Sequence, residues 1–252
     1  MATAVRTPAI SDAERNAREQ LAACYRIFAH LGWDELIYNH ISLRVPDEPD
    51  AFLINPFGLM YEEVTASNLV KIDIEGNTLD GSPWPVNRAG FVQHSLFHAH
   101  VPDAHCVIHT HTTAGMAIAS TEEGLIPTGF YSAMFEGQIA YHDFEGVTIH
   151  DTEGPRFLAD LGGKRIMILR NHGLLVMAPT LPAAFQAYFF LERACAIQIA
   201  TRQAGTPRRV PDDVIAVHQR DVRSATPPGG PGMPEFSAMV RKIDRIDKSW
   251  RD

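Results

Sequence analysis

Three histidines set the chemistry open to this chain. His109-Thr110-His111 follows the apolar Cys106-Val107-Ile108, a pattern that predicts a short buried strand. Strand side chains alternate between faces, so His109 and His111, two apart, project from the same face. Far along the chain, Arg165-Ile166-Met167-Ile168-Leu169-Arg170 is a second buried-strand pattern, and it runs into Asn171-His172-Gly173. Three neutral imidazoles with an open fourth position form the donor set of a catalytic zinc centre rather than a closed structural one. A lone His-X-His is commonly structural, and Asn and Gly are ordinary turn residues. The coincidence of both motifs, each at the end of an apolar strand, is what points to one shared metal.

The surrounding elements are those needed to hold such a centre. At 252 residues and 45% hydrophobic, the chain fits one large domain over residues 11–205, preceded by a flexible arm over 1–10. Ser11 and Glu14 form a Ser-x-x-Glu capping box, and the helix it opens carries Leu21, Cys24, Tyr25, Phe28 and Leu31 on one face before Gly32. Ile41–Val45, Phe52–Ile54 and Leu69–Ile74 read as half-buried strands, the last turning back at Glu75-Gly76-Asn77. Asn87 is placed to cap a helix leading to the histidine strand, and a helix over Thr113–Ser120 follows that strand. Ile139–Tyr141 and Val147–Ile149 are short strand candidates, Leu174–Met177 pairs with the strand before it, and Leu181–Gln203 is the longest helix. Residues 206–252 read as a Pro/Gly-rich linker to a last helix over Pro234–Trp250. Hairpin-like strands among helices predict a layered α/β arrangement with a largely antiparallel sheet.

Composition narrows the function. A net charge of -8 argues against nucleic acid or an anionic membrane as partner. Cys24, Cys106 and Cys195 are odd in number and suit reduced thiols, and Met1 to Ala9 lacks a signal peptide's apolar core. The expectation is a cytoplasmic protein acting on a small molecule.

The motifs taken in order resemble the class II aldolase/adducin family, over roughly residues 19–205. Within it they are most similar to the adducin head branch, through Asn39-His40-Ile41-Ser42-Leu43-Arg44, Asn55-Pro56-Phe57-Gly58-Leu59, Ala89-Gly90-Phe91, Ala140-Tyr141-His142-Asp143 and Leu169-Arg170-Asn171-His172-Gly173. The resemblance implies a three-layer α/β/α domain with a mainly antiparallel central sheet, commonly a homotetramer. It also implies a divalent metal held by His109, His111 and His172, zinc first, with manganese or iron as alternatives.

Two departures weigh against ordinary sugar-phosphate aldolase chemistry. The catalytic Glu that the resemblance implies falls on Gly90, and the phosphate-binding serines are missing beside it. The Gly-Asn of the other phosphate loop is Asn39-His40. His94, one turn on, is the nearest titratable replacement, weighed against a core or capped histidine. Tyr131 falls where the family carries a proton-donating Tyr from a neighbouring subunit. Asn39, Asn55, Gly58 and Arg88 are candidate substrate contacts, and Glu62 and Glu63 lie beside the Pro56–Gly58 turn. His98, His100 and His105 read as a polar helix face and a loop. The resulting expectation is a metal-dependent lyase, aldolase-like or decarboxylating, working on a small hydroxy or keto acid through a metal-stabilised enolate. The alternatives are a non-catalytic adducin-like oligomerisation or actin-binding module, and an iron oxygenase using the same three histidines.

Overall fold

A computed structural model describes residues 10–147, 151–225 and 227–252. Seven short strands make one sheet: β1 (His40–Arg44), β2 (Ala51–Ile54), β3 (Val70–Asp73), β4 (Cys106–Thr110), β5 (Ile139–His142), β6 (Ile166–Leu169) and β7 (Gly173–Ala178). Their order is β3-β2-β1-β4-β7-β6-β5. β5 runs parallel to β6, and every other neighbouring pair is antiparallel. The sheet is therefore mixed but mainly antiparallel. The parallel pair needs a crossover, and it contains α5 (Gly154–Leu161). The other helices are α1 (Asp12–Leu31), α2 (Arg88–His100), α3 (Thr113–Ala119), α4 (Phe130–Ala133), α6 (Leu181–Ala204), α7 (Asp212–Ser224) and α8 (Met233–Ile243).

Alternation along the strands sorts the layers. Ile41, Leu43, Cys106, Ile108, Leu174 and Val176 share a core with Leu21 and Phe28 of α1 and Tyr188 and Leu191 of α6. Val107, Met167, Leu175 and Met177 turn the other way, onto Phe97 of α2 and Phe157 of α5. Helices thus cover both faces of the sheet, with α1, α3, α6 and α8 on one side and α2 and α5 on the other.

Local signals account for the ends of the elements. Ser11 Oγ accepts from the Glu14 amide at 3.0 Å, and Gly32 closes α1 at φ 70°. Only half of the expected capping box forms, because the Glu14 carboxylate accepts instead from Arg18 at 2.9 Å and Lys71 at 3.0 Å. Asn87 Oδ1 caps α2 through the Ala89 amide at 3.1 Å. The return after β3 is a single bridge, Ile72 to Thr78, rather than a second strand.

The tail differs from a linker carrying one helix. α7 occupies Asp212–Ser224, with Pro211 before it and Asp212 and Asp213 in its first turn, an arrangement that favours a helix start. The last helix stops at Ile243, and Trp250 then folds back, 2% exposed, beside α1. Its carbonyl accepts from the Ala66 amide at 2.9 Å. Residues 1–9, most of the expected arm, and Thr148 and Ile149 of one strand candidate lie outside the described residues. No helix among the described residues is long and apolar enough to cross a membrane.

Candidate metal centre

The centre forms where β4 ends beside the hairpin that joins β6 to β7. Leu169 pairs with Gly173 across that hairpin, leaving a three-residue loop of Arg170, Asn171 and His172. Asn171 sits at φ 55°, the left-handed region that Asn tolerates better than most side chains. Gly173 is required by proximity, since a Cβ there would lie 2.3 Å from the Thr110 carbonyl oxygen and 3.2 Å from His111 Cδ2. The Asn-His-Gly triplet therefore supplies a turn residue, a ligand and the close approach that brings the ligand to β4.

The three imidazoles meet through their Nε2 atoms, 2.9 Å between His109 and His111 and 3.0 Å between His111 and His172. His109 Nδ1 donates to the Leu174 carbonyl at 3.0 Å. In a neutral ring that leaves Nε2 bare and aimed at the other two. Burial pushes all three below the ordinary imidazole range, His172 to about 4, with the neighbouring imidazoles adding to the shift at His109 and His172. His111 Nε2 lies between the other two, and in neither tautomer can it make a full hydrogen bond to both, whereas a cation among them would engage all three. Tetrahedral Zn–N bonds of about 2.0 Å set N···N separations near ~3.3 Å, so the cluster would open by a few tenths of an ångström to hold one. His109, His111 and His172 are the one group among the described residues whose ligand atoms converge in this way.

A cavity of about 350 Å³ opens beside the triad, walled by Tyr38, His40, Phe57, Gln93 and Phe144 among others. Among the described residues, no Lys or Arg lines it. The sequence candidates fall around it at different depths. Asn39 Oδ1 accepts from the His111 amide at 2.9 Å, and its Nδ2 donates to the Trp33 carbonyl at 2.9 Å. It braces a triad residue with both ends of its amide. Asn55 is buried with its Oδ1 on the Tyr25 hydroxyl at 2.9 Å. Gly58, at φ 107°, belongs to the turn that carries Phe57 to the cavity wall. Arg88 lines the neighbouring cleft with Ile74 and Glu75, its guanidinium 5.7 Å from the Phe91 ring centre. Tyr131 lies in α4 against Phe130 and Phe190, away from the cavity of its own chain.

His98 differs from the expectation of a polar face, and His94 is a catalytic candidate enclosed in the core. His94 and His98 are fully enclosed between α2 and the sheet, and burial drives both well below the usual range, His98 to about 3. His94 touches the cavity only through His40, whose Nδ1 lies 2.8 Å from His94 Nε2. His40 and Gln93 are polar residues of the cavity wall to which the sequence analysis gave no role. The available signal was alternation, because His40 and Ser42 precede and share the face opposite Ile41 and Leu43.

Residues 19–199 match the family described as Class II Aldolase and Adducin N-terminal domain. An aldolase II superfamily protein from Pseudomonas syringae, known from its crystal structure, is 41% identical and superposes with a TM-score of 0.90, covering 96% of this chain and 98% of that one. An L-fuculose 1-phosphate aldolase from Glaciozyma antarctica is 27% identical with a TM-score of 0.83, covering 97% and 96%. Alpha-adducin of Rattus norvegicus is 40% identical over 92% of this chain, which spans 34% of that protein's length.

Proposed function

The chain belongs to the class II aldolase and adducin family, and from that premise we propose that it is a divalent-metal-dependent lyase. Its substrate is a small hydroxy or keto acid, or another unphosphorylated carbonyl compound, in which a carbon–carbon bond is made or broken. The observation that carries the proposal is the convergence of three neutral imidazole nitrogens on a cavity that no Lys or Arg lines among the described residues. Among the described residues a phosphate dianion would find no Lys or Arg there to pair with. The resemblance to an L-fuculose 1-phosphate aldolase supports the reaction class, while the cavity wall favours a substrate without the phosphate.

His109, His111 and His172 would hold the metal, zinc by preference for three nitrogen donors and an open position, with manganese or iron as alternatives. When bound, it supplies Lewis-acid polarisation of a substrate oxygen and stabilises the negative charge that develops there. Tyr38, Phe57 and Phe144 give the cavity a largely apolar wall, with Tyr38 and Phe144 open to solvent at its mouth. His94 has no access to substrate and serves by positioning His40. Tyr131 reaches a triad only across a subunit boundary, which makes a homotetramer part of the proposal. Decarboxylation suits the missing carboxylate at position 90, because loss of CO2 leaves the electron pair on carbon and calls for a single proton delivery afterwards.

Metal content of the purified protein, with His109→Ala beside it, is the first test. About one zinc per chain, absent from the variant, supports the proposal and directs a screen of hydroxy and keto acids. Iron in its place turns the search to oxygen-dependent chemistry. The likeness to alpha-adducin favours a second reading, a non-catalytic assembly module. Failure to take up zinc, manganese or iron on reconstitution would decide for that second reading.

A further inference from the structure

We propose that His40 is the cavity's fixed hydrogen-bond acceptor for a substrate hydroxyl, its tautomer set by a buried chain through His94, Ser42 and His98 that ends on the Ala104 carbonyl. The substrate clause rests on the lyase proposal, whereas the tautomer does not.

The direction of every bond in the chain follows from its terminus. A carbonyl only accepts, so His98 Nδ1, 2.7 Å from the Ala104 oxygen, must donate. His98 is neutral, which leaves its Nε2 bare. Ser42 Oγ lies 2.7 Å from that nitrogen and donates its one proton to it. Having spent that proton, Ser42 Oγ accepts from His94 Nδ1 at 2.6 Å. Neutral His94 then has a bare Nε2, and His40 Nδ1 donates to it at 2.8 Å. Neutral His40 is left with its proton on Nδ1 and a lone pair on Nε2. That nitrogen has no partner among the described residues, and the ring lines the same cavity as the triad.

Two further observations place a ligand donor at this point. A Cβ at Gly90 would lie 2.8 Å from His40 Cδ2 and 3.2 Å from its Nε2. The imidazole therefore fills the space that a side chain at position 90 would need, and the acceptor comes from β1 instead of α2. Gln93, 2% exposed and on the wall of the same cavity, has its Oε1 buried with no partner. Gln93 Oε1 is thus a second unsatisfied acceptor on a residue of the cavity wall, and the pair suits a ligand that offers hydroxyl donors. Because the imidazole is neutral, it does not repel a carboxylate on that substrate as an anionic acceptor would. The chemistry matches a hydroxy acid better than a simple keto acid.

The test uses the whole protein labelled with 15N-histidine and freed of metal, with His40 signals assigned by their loss in His40→Asn. The expected result is a protonated Nδ1 and a bare Nε2 on His40. Ser42→Ala should interrupt the chain and mix the two tautomers of His40, and Ser42→Thr, which restores a hydroxyl, should return the single form. A proton on Nε2 of wild-type His40, or no response to Ser42→Ala, would overturn the assignment. In the zinc-loaded protein, glycolate should shift the His40 Nε2 resonance. In His40→Asn, whose amide nitrogen can still donate to His94, glycolate should bind about tenfold more weakly at unchanged zinc content. Equal affinity in the variant overturns the substrate role. Zinc-loaded wild type that binds neither glycolate nor lactate defeats the lyase proposal and the substrate clause together, and leaves the tautomer to stand or fall on the labelled protein.

Discussion

Acid should weaken this fold through His98, by an amount the structure lets us work out. The ring is enclosed by Ser42, the Ala104 carbonyl and the face of Phe52, ring centres 4.7 Å apart. The Arg44 guanidinium donates to its backbone carbonyl and disfavours a second positive charge nearby. Burial first, and Arg44 second, hold His98 at about 3, against the ordinary imidazole value of 6.5. The folded value lies below the unfolded one, so the unfolded state binds more protons as pH falls. The stability contributed by neutral His98 is thus fully present above about 6.5 and is lost progressively toward 3. At pH 5 the unfolded chain has gained about 1.5 pH units of protonation free energy, or about 2 kcal/mol at 1.36 kcal/mol per unit. Urea unfolding of metal-free wild type and His98→Asn at pH 7 and pH 5 separates this contribution from those of other histidines held low by burial, His40, His94, His109 and His172. His98→Asn keeps a donor for the Ala104 carbonyl but cannot titrate. It should be about 1–3 kcal/mol less stable than wild type at pH 7, and the gap should narrow by about 2 kcal/mol at pH 5. Parallel losses in the two proteins would refute the reasoning, because they would mean that native His98 accepts its proton without cost.

Three other outcomes follow from geometry already described. Trp250→Ala should cost about 3–5 kcal/mol, read as a lower melting temperature, because the indole is 2% exposed against α1 and its loss leaves a void. Thr112→Val removes both the α3 cap, Oγ1 to the Gly115 amide at 3.3 Å, and the 2.5 Å donor to the buried Glu192 carboxyl. The expected loss is about 2–3 kcal/mol by chemical denaturation, and a change below about 0.5 kcal/mol would count against both roles. Gly173→Ala drives a methyl into the Thr110 carbonyl and should abolish stoichiometric zinc uptake even in whatever fraction folds, measured as metal per chain after gel filtration.

Local signals were legible in the residues, and tertiary ones were not. Ser11, Gly32 and Asn87 act within a few residues of themselves, and each ends its helix as the spacing predicts. The strand around His109 was legible because Cys106-Val107-Ile108 is a continuous apolar run bounded by polar residues. His98 was misread as part of a polar face because α2 meets its partner Ser42 across 56 residues of sequence, and a helical stripe with histidine in it looks solvent-facing until β1 is laid against it. α7 escaped notice because prolines surround it and only Ile215 on it is buried, so its apolar period is faint. The roles of Asn39 and Asn55 were expected toward substrate, while their amides bond the His111 amide and the Tyr25 hydroxyl. Which polar atom an Asn satisfies is decided by chain segments that the local sequence does not contain.

The alternation of β1 also guards the sheet against mispairing. His40 and Ser42 face α2, while Ile41 and Leu43 face α1. A slip of one residue would exchange the two sets. The hydroxyl and imidazole would then enter the apolar layer, and Ile41 and Leu43 would press on His94 and His98, stranding three ring nitrogens without partners. Because each such buried orphan costs about 1–3 kcal/mol, the neighbouring register is excluded by several kcal/mol. The same polar chain that orients a cavity side chain thus acts as a key that admits one alignment of a central strand.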